Sequence, residues 1–151
     1  MHTPAPWTAK DFRDLLASPG VFLAPSSVFK YPGGARGGKA PSHGATPEAA
    51  QLLVAFALGR VILDEAELLT LAVDPFYQRQ GYGQTCLQAF ERIALEHGAR
   101  HLCLEVAASN VAALALYHAA GWTESGHRKG YYKGRDARTD AILMTKHARS
   151  D

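Results

Sequence analysis

Cysteine is scarce in this sequence: Cys86 and Cys103 are the only two among 151 residues. Each lies among apolar residues in a periodic segment, which favours packing in a core over a role as nucleophile. No signal-peptide pattern opens the chain, and no apolar run approaches the roughly 20 residues that span a bilayer. We therefore expect a protein of the reducing cytoplasm without a membrane partner.

An excess of charge of either sign is also lacking, because 16 basic residues are balanced by 14 acidic ones and the net charge is +2. A dedicated nucleic-acid binder carries a clustered basic excess, so no sequence-specific nucleic-acid partner is expected. Basic residues crowd only the C-terminal quarter, where a solvated hairpin is favoured over a surface for an anionic partner. These residues are Arg128, Lys129, Lys133, Arg135 and Arg138.

A metal-binding pattern is missing as well, although the chain has seven histidines. His97 and His101 are four residues apart, but Gly98 lies between them, so they are not expected to share a helical face. His97 lies near a predicted helix C-terminus, where the helix dipole accounts for it. We expect no catalytic metal.

The composition that remains, 47% apolar and 20% charged, is that of one globular domain over residues 1–151. A short helix is predicted to begin at the cap Thr8 and to stop at Pro19 and Gly20, with a strand over 21–24 after it. Residues 25–48 are rich in Gly, Pro, Ser and Ala, which predicts a flexible loop. Their glycines lack the spacing of a P-loop, which disfavours a phosphate site there.

Three apolar, β-branched runs then predict an antiparallel meander of strands. The predicted breaks between these strands are Gly59 with Arg60 and residues 64–66. The runs cover 52–58, 61–63 and 67–73.

Beyond the meander, helical spacing alternates with strand patterns. Helices are predicted over 82–97 and 111–120, and a strand over 101–106 separates them. Strands over 122–132 and 140–145 form a final hairpin. This element order indicates an α/β (α+β) domain with one mixed sheet.

The turn over residues 78–83 has the sequence Gln-Arg-Gln-Gly-Tyr-Gly and joins a strand to a helix. Gly81 and Gly83 let backbone amides point outward where the helix begins, and such amides bind phosphate oxygens. Arg79 adds a cation. An ordinary loop before a helix remains an alternative, whereas a dinucleotide-binding turn would need a third glycine, which is missing.

The surroundings of this turn resemble those of the GCN5-related N-acetyltransferase superfamily (GNAT), and in particular the RimI-type ribosomal-protein alanine N-acetyltransferases. The resemblance runs from about Leu53 to Lys146 and consists of ordered landmarks at matching separations. The landmarks are Leu71-Ala72-Val73-Asp74-Pro75, residues 78–83, Leu104-Glu105-Val106, Ser109-Asn110, Leu116-Tyr117, Gly121-Trp122, Tyr131-Tyr132 and Asp140-Ala141.

The resemblance implies acetyl-CoA as co-substrate and a mostly antiparallel sheet with two splayed strands, flanked by helices. It implies that the backbone of one strand binds the pantetheine arm, that the turn surrounds the pyrophosphate, and that Asn110 contacts the cofactor's amides. The strand residues are Leu71, Ala72 and Val73, and the turn residues are Gln78, Arg79, Gln80, Gly81, Tyr82, Gly83 and Gln84.

Glu105 alternates with Leu104 and Val106 and therefore lies on the opposite face of its strand. It is either a solvated or ion-paired carboxylate, or a general base. An α-amine with a pKa near ~8 is mostly protonated at neutral pH and must lose a proton before it attacks a thioester. The resemblance implies the second role, and we favour it.

Asn110, Leu114 and Tyr117 share one face of the second long helix. Asn110 suits a helix cap, and Tyr117 suits either a core aromatic or a proton donor. The resemblance implies that Tyr117 protonates the departing thiolate of CoA, with a backbone amide near Val73 on the developing oxyanion and no covalent enzyme intermediate.

The predicted acceptor is the N-terminal α-amine of a protein, in particular the alanine of a ribosomal protein. The resemblance places Tyr131 and Tyr132 beside it. Alternatives are a small-molecule amine, aminoacyl-tRNA, or a non-catalytic acyl-CoA-binding module, although the presence of both Glu105 and Tyr117 argues against the last.

The sequence departs from the RimI-type pattern in three places. The strand and helix that usually precede the Pro6-Trp7 element are missing, which predicts an exposed sheet edge and self-association, or a start site placed too late. Residues 25–48 are an apparent insertion on the acceptor side. Ala107 stands where Arg is common, and both differences bear on acceptor specificity.

Overall fold

A computed structural model describes residues 9–30, 50–133 and 138–148 of the chain. The predicted cap at Thr8 and residues 31–48 of the predicted loop lie outside these ranges. The elements are α1 (Ala9–Leu16), β1 (Val21–Lys30), β2 (Ala50–Ile62), β3 (Glu65–Val73), a 3₁₀ helix (Pro75–Tyr77), α2 (Tyr82–Glu96), β4 (His101–Ala107), α3 (Val111–Ala119), β5 (Thr123–Lys133) and β6 (Arg138–His147).

The described strands form one six-stranded sheet in the order β1-β2-β3-β4-β6-β5. All neighbouring strands are antiparallel except β3 and β4, which are parallel and joined by α2. The predicted mixed and mostly antiparallel sheet with flanking helices is thus confirmed. Strands β1 and β5 lie at its two edges.

The first strand is longer than the sequence predicted. Residues 25–30 were expected in a flexible loop, but β1 continues through them and pairs with β2 as far as Lys30 opposite Ala50. The prediction was wrong because the apolar run of β2 provides a partner for the whole segment. Pro25 is compatible with pairing since β1 is an edge strand, where a missing N–H can face away from the sheet.

The second strand also differs from the prediction, because Gly59 and Arg60 do not break it. Strand β2 passes through both, with a β-bulge between Leu58 and Gly59. Gly59 is required by packing: a Cβ there would lie 2.6 Å from Phe90 Cε2 and 2.7 Å from Phe22 Cζ. The chain reverses only after Ile62.

The parallel pair β3 and β4 diverges after four residues. Their pairing runs from Glu65 opposite His101 to Leu68 opposite Leu104 and then stops. At the same point Leu69 is the extra residue of a bulge against β2, and the buried positions of β3 change from Ala66 and Leu68 to Leu71 and Val73. The predicted splaying of these strands is confirmed, and we call the opening between them the fork.

The core is one apolar cluster between the sheet and its helices. Phe90 of α2 and Tyr117 of α3 both contact the buried Trp122, with ring centroids 6.5 and 6.2 Å from it. Helices α2 and α3 end within one residue of the predicted positions. Within the described ranges no helix is long and apolar enough to cross a membrane.

Candidate active site at the fork

The backbone groups of β3 that do not bond to β2 line one side of the fork. Asp74 N–H donates to Val54 O over 2.7 Å. This bond identifies which alternate residues of β3 direct their backbone groups towards β2. Since antiparallel backbone groups point alternately to either side, Ala72 bonds to β2 while the amides and carbonyls of Leu71 and Val73 point into the fork. Of the three predicted residues, these two have the orientation to bind an extended arm.

The turn after β3 is held by local hydrogen bonds. The Asp74 carboxylate accepts a bond from Phe76 N–H at 2.8 Å and caps the 3₁₀ helix. The Gln78 side chain reaches back to Val73 O over a long 3.4 Å. Arg79 is exposed and has a φ of 63°, a left-handed conformation that costs a non-glycine residue energy.

Helix α2 begins with open backbone donors. Gly81 is its N-cap, with a φ of 87° and no side-chain cap, and the first bond within the helix runs from Thr85 N–H to Gly81 O at 3.0 Å. The amides of Tyr82, Gly83 and Gln84 therefore have no partner within the helix. Together with the helix dipole they form an arrangement suited to phosphate oxygens.

The side chain of Tyr82 has a different environment from the one that a cofactor-binding role suggests. Its ring is partly buried against the core and lies edge-on to Tyr77, with centroids 5.9 Å apart. Any contact of Tyr82 with a phosphate would thus involve its backbone amide. Gln80 and Gln84 are exposed beside it.

Glu105 is the first residue of β4 beyond the paired segment, so it lies at the apex of the fork. Its side chain is 26% exposed, and Oε1 is buried. Among the described residues Oε1 accepts no hydrogen bond, and the guanidinium Nε of Arg128 lies 3.8 Å from it. A buried carboxylate oxygen that accepts no hydrogen bond has a lone pair available to accept a proton.

Helix α3 carries the two other predicted residues. Asn110 is its N-cap, and its side chain accepts a bond from Ala113 N–H at 3.2 Å, so the cap role is present. Tyr117 is 6% exposed, and burial raises its pKa to about 12. Its phenol therefore keeps its proton at neutral pH.

Of the two residues predicted to lie beside the acceptor, Tyr131 lies in β5 and is half exposed. Tyr132 is in the same strand, but its side chain is outside the described part of the structure. The guanidinium of Arg128 stacks 5.2 Å above the Tyr131 ring and also approaches Glu105, so it connects the two. In the sequence Arg128 is only one member of a basic run. Its position in β5, opposite Ala141, distinguishes it from the other basic residues of that run.

Metal ligation finds no support in the same ranges. No three His, Cys, Asp or Glu side chains among the described residues are placed to hold an ion. The His101 and His147 rings stack edge-on at 5.3 Å, and His101 Nε2 lies 3.9 Å from Asp64 Oδ2, which is an exposed and loose pair.

Comparison with known proteins agrees with this geometry. The sequence profile of the family described as Acetyltransferase (GNAT) family matches residues 6–122. The chain therefore belongs to the GNAT acetyltransferase family, as predicted from its motifs. Acetyl-CoA is the acetyl donor in this family.

Curated relatives are similar over part of the chain. The [ribosomal protein bS18]-alanine N-acetyltransferase of Escherichia coli K12 is 48% identical over 92 residues, which are 61% of this chain and 62% of that protein. The match thus spans less than two thirds of the relative's length.

One solved structure extends the likeness to nearly the whole chain. The crystal structure of the ribosomal-protein-S18-alanine N-acetyltransferase from Escherichia coli has a TM-score of 0.71 and 32% identity, and the match covers 98% of this chain and 81% of that one. A structure of yncA from Salmonella typhimurium, with its cofactor acetyl-CoA, has a TM-score of 0.60 at 18% identity over 66% of this chain and 61% of that one, and it shows the fold alone.

Proposed function

We propose that this chain is an N-acetyltransferase that transfers acetyl directly from acetyl-CoA to the N-terminal α-amine of a protein, with the alanine of ribosomal protein bS18 as acceptor. The observation that carries the proposal is the fork, which opens at Glu105 where the pairing of β4 with β3 ends. The 48% identity to an enzyme named for bS18 alanine supports this acceptor. A ribosomal acceptor places the reaction in the cytoplasm.

In this proposal the chain is a single domain and binds the co-substrate along β3 and the start of α2. The backbone groups of Leu71 and Val73 bind the pantetheine amides as an added strand would. The amides of residues 82–84 and the cation of Arg79 bind the pyrophosphate. Asn110 contacts the pantetheine amides from the start of α3 in addition to capping that helix.

Proton transfer is divided between two residues. Glu105 accepts a proton from the acceptor's ammonium group, and the free amine then forms the C–N bond at the thioester carbonyl. The Val73 N–H donates to the oxygen that gains negative charge. As the C–S bond breaks, the nitrogen loses its second proton to solvent and Tyr117 donates its hydroxyl proton to sulfur.

The test is a comparison of acceptors with purified protein and acetyl-CoA, followed by thiol release and by the mass of the acceptor. A peptide with the N-terminal sequence of bS18 should be acetylated once, at its α-amine. Its matched control is the same peptide with a blocked N-terminus, which should release no thiol above background.

The same comparison includes small-molecule amines and aminoacyl-tRNA. Turnover of one of these in place of the peptide would contradict the protein acceptor but retain the acetyltransferase. Binding of acetyl-CoA without turnover of any acceptor would contradict catalysis and support a binding module.

A further inference from the structure

Asp140, in β6, has three bonds to the acceptor side of the molecule. Its Oδ1 accepts a hydrogen bond from Gly130 N–H at 2.7 Å, and its Oδ2 lies 2.7 Å from His127 Nε2. Its backbone carbonyl accepts a bond from Ala108 N–H at 2.8 Å. One residue thus joins β5 to the segment between β4 and α3.

The two side-chain bonds close a bulge in β5. Arg128 pairs with Ala141 and Tyr132 pairs with Thr139, so the three residues 129–131 lie opposite Asp140 alone. Gly130 within the bulge has a φ of 59°. A bulge leaves backbone groups without ladder partners, and here the Asp140 carboxylate supplies one for Gly130.

The carboxylate is suited to this contact because it stays charged. The Gly130 N–H, followed by the His127 ring, holds the pKa of Asp140 below its usual value. A bond from an amide to an ionised carboxylate is stronger than one between neutral groups.

The bulge positions two side chains at the fork. Arg128 immediately precedes it and lies 3.8 Å from the buried Oε1 of Glu105, while Tyr131 ends it and carries the Arg128 guanidinium 5.2 Å above its ring. The hydrogen bond from Ala108 N–H to Asp140 O also holds the segment that follows Glu105 beside β6.

We propose that Asp140 is a positioning residue for the acceptor: it holds the β5 bulge so that Arg128 and Tyr131 form the wall of the acceptor site beside Glu105. The role rests on the proposed function. Asp140 itself contacts neither the acceptor nor the reacting atoms.

The test measures KM for the acceptor peptide and for acetyl-CoA separately. Asp140→Ala removes both side-chain bonds and should raise the acceptor KM about tenfold or more, while the KM for acetyl-CoA stays within about twofold. Asp140→Asn retains an oxygen that can accept from Gly130 N–H, so its acceptor KM should lie between those of the wild type and Asp140→Ala. This split distinguishes positioning from a general loss of structure.

The matched control is Glu124→Gln. Glu124 is also a carboxylate of β5 that pairs with a histidine, His118 at 3.6 Å, but it has no part in the bulge. Its substitution should leave both KM values unchanged.

Three results would count against the proposal in different ways. An active wild type with an unchanged acceptor KM in Asp140→Ala overturns the positioning role alone. Equal rises in both KM values for Asp140→Ala and Asp140→Asn show a general structural effect and also overturn it. A wild type that acetylates no acceptor overturns the proposed function, and the positioning role with it.

Discussion

Glu105 and Tyr117, the two side chains proposed to transfer protons, have different surroundings. Glu105 Oε1 is buried, accepts no hydrogen bond from the described residues and lies near one cation. Tyr117 has the opposite character, since burial raises its pKa to about 12 and keeps it protonated. The proposed proton acceptor and the proposed proton donor thus lie on consecutive elements, β4 and α3.

Glu105→Gln is expected to lower kcat/KM by about 10²- to 10⁴-fold, because the amide cannot accept the ammonium proton. The measurement is steady-state transfer to the acceptor peptide across a range of pH. Glu67→Gln is the matched control, since Glu67 is also a strand carboxylate paired with arginine, at 2.9 Å from Arg60, but on the paired part of β3. Equal rates for Glu105→Gln and the control would remove Glu105 from the mechanism.

Tyr117→Phe is expected to lower kcat by about 10²-fold or more while the affinity for acetyl-CoA is unchanged, because only the proton donor is lost. Affinity is measured by calorimetry and kcat by thiol release. Tyr77→Phe provides a comparison, because Tyr77 and Tyr117 are similarly buried, at 7% and 6% exposure. If both variants keep the wild-type kcat, Tyr117 serves the core alone.

Among the elements, the packing of β2 against α2 depends on one small residue, Gly59. Gly59 lies at a bulge against the rings of Phe90 and Phe22, and Phe90 is fully buried. The glycine lets Phe90 of α2 lie against β2, so the packing of this strand determines how closely the helix approaches the sheet.

Gly59→Ala is therefore expected to destabilise the protein by about 1–3 kcal/mol, because the added methyl overpacks the core. Urea denaturation gives this free energy of unfolding. Gly126→Ala is the control: it is also a strand glycine at a bulge, but its Cβ would meet the end of the flexible Leu143 side chain, Cδ1, at 2.7 Å, and the expected cost is smaller. A cost for Gly59→Ala no larger than for the control would contradict this account of the bulge.

At the scale of the whole molecule, the two thiols differ in burial: Cys86 lies in the core as predicted, whereas Cys103 is only partly buried, because it lies on the face of β4 opposite to the buried Leu102 and Leu104. Burial raises the pKa of Cys86 to about 11, and burial followed by repulsion from Glu65 and Glu67 raises that of Cys103 to about 11. At pH 8 only about one part in a thousand of each thiol is then the reactive thiolate. Neither cysteine suits a covalent mechanism.

Both cysteines should accordingly react slowly with a disulfide reagent at pH 8 in the native protein and rapidly in denaturant. Both folded pKa values lie above the unfolded value of about 9. The folded state therefore favours the protonated thiols, and the stability that depends on them is present below pH 9 and is lost as pH rises towards 11. Rapid native reaction of one equivalent would show that a thiol is accessible.

Much of the fold followed from local pattern. The order of elements, the two long helices and the glycine turn at 78–83 depend on periodicity and on Gly and Pro, which act over a few residues of chain. The errors fell where a distant partner decides the structure: residues 25–30 form a strand only because β2 pairs with them, and Gly59 continues a strand only because Phe90 and Phe22 pack on it.

The sequence by itself determined the family, through landmarks such as Leu104-Glu105-Val106 and the turn at 78–83, because residue identities at set separations are a property of the chain. Only the tertiary structure decided which backbone groups of β3 point into the fork, that Arg128 joins Glu105 to Tyr131, and that Asp140 closes the bulge beside them. These relations depend on strand register across residues far apart in sequence, and register is set by packing of the whole sheet.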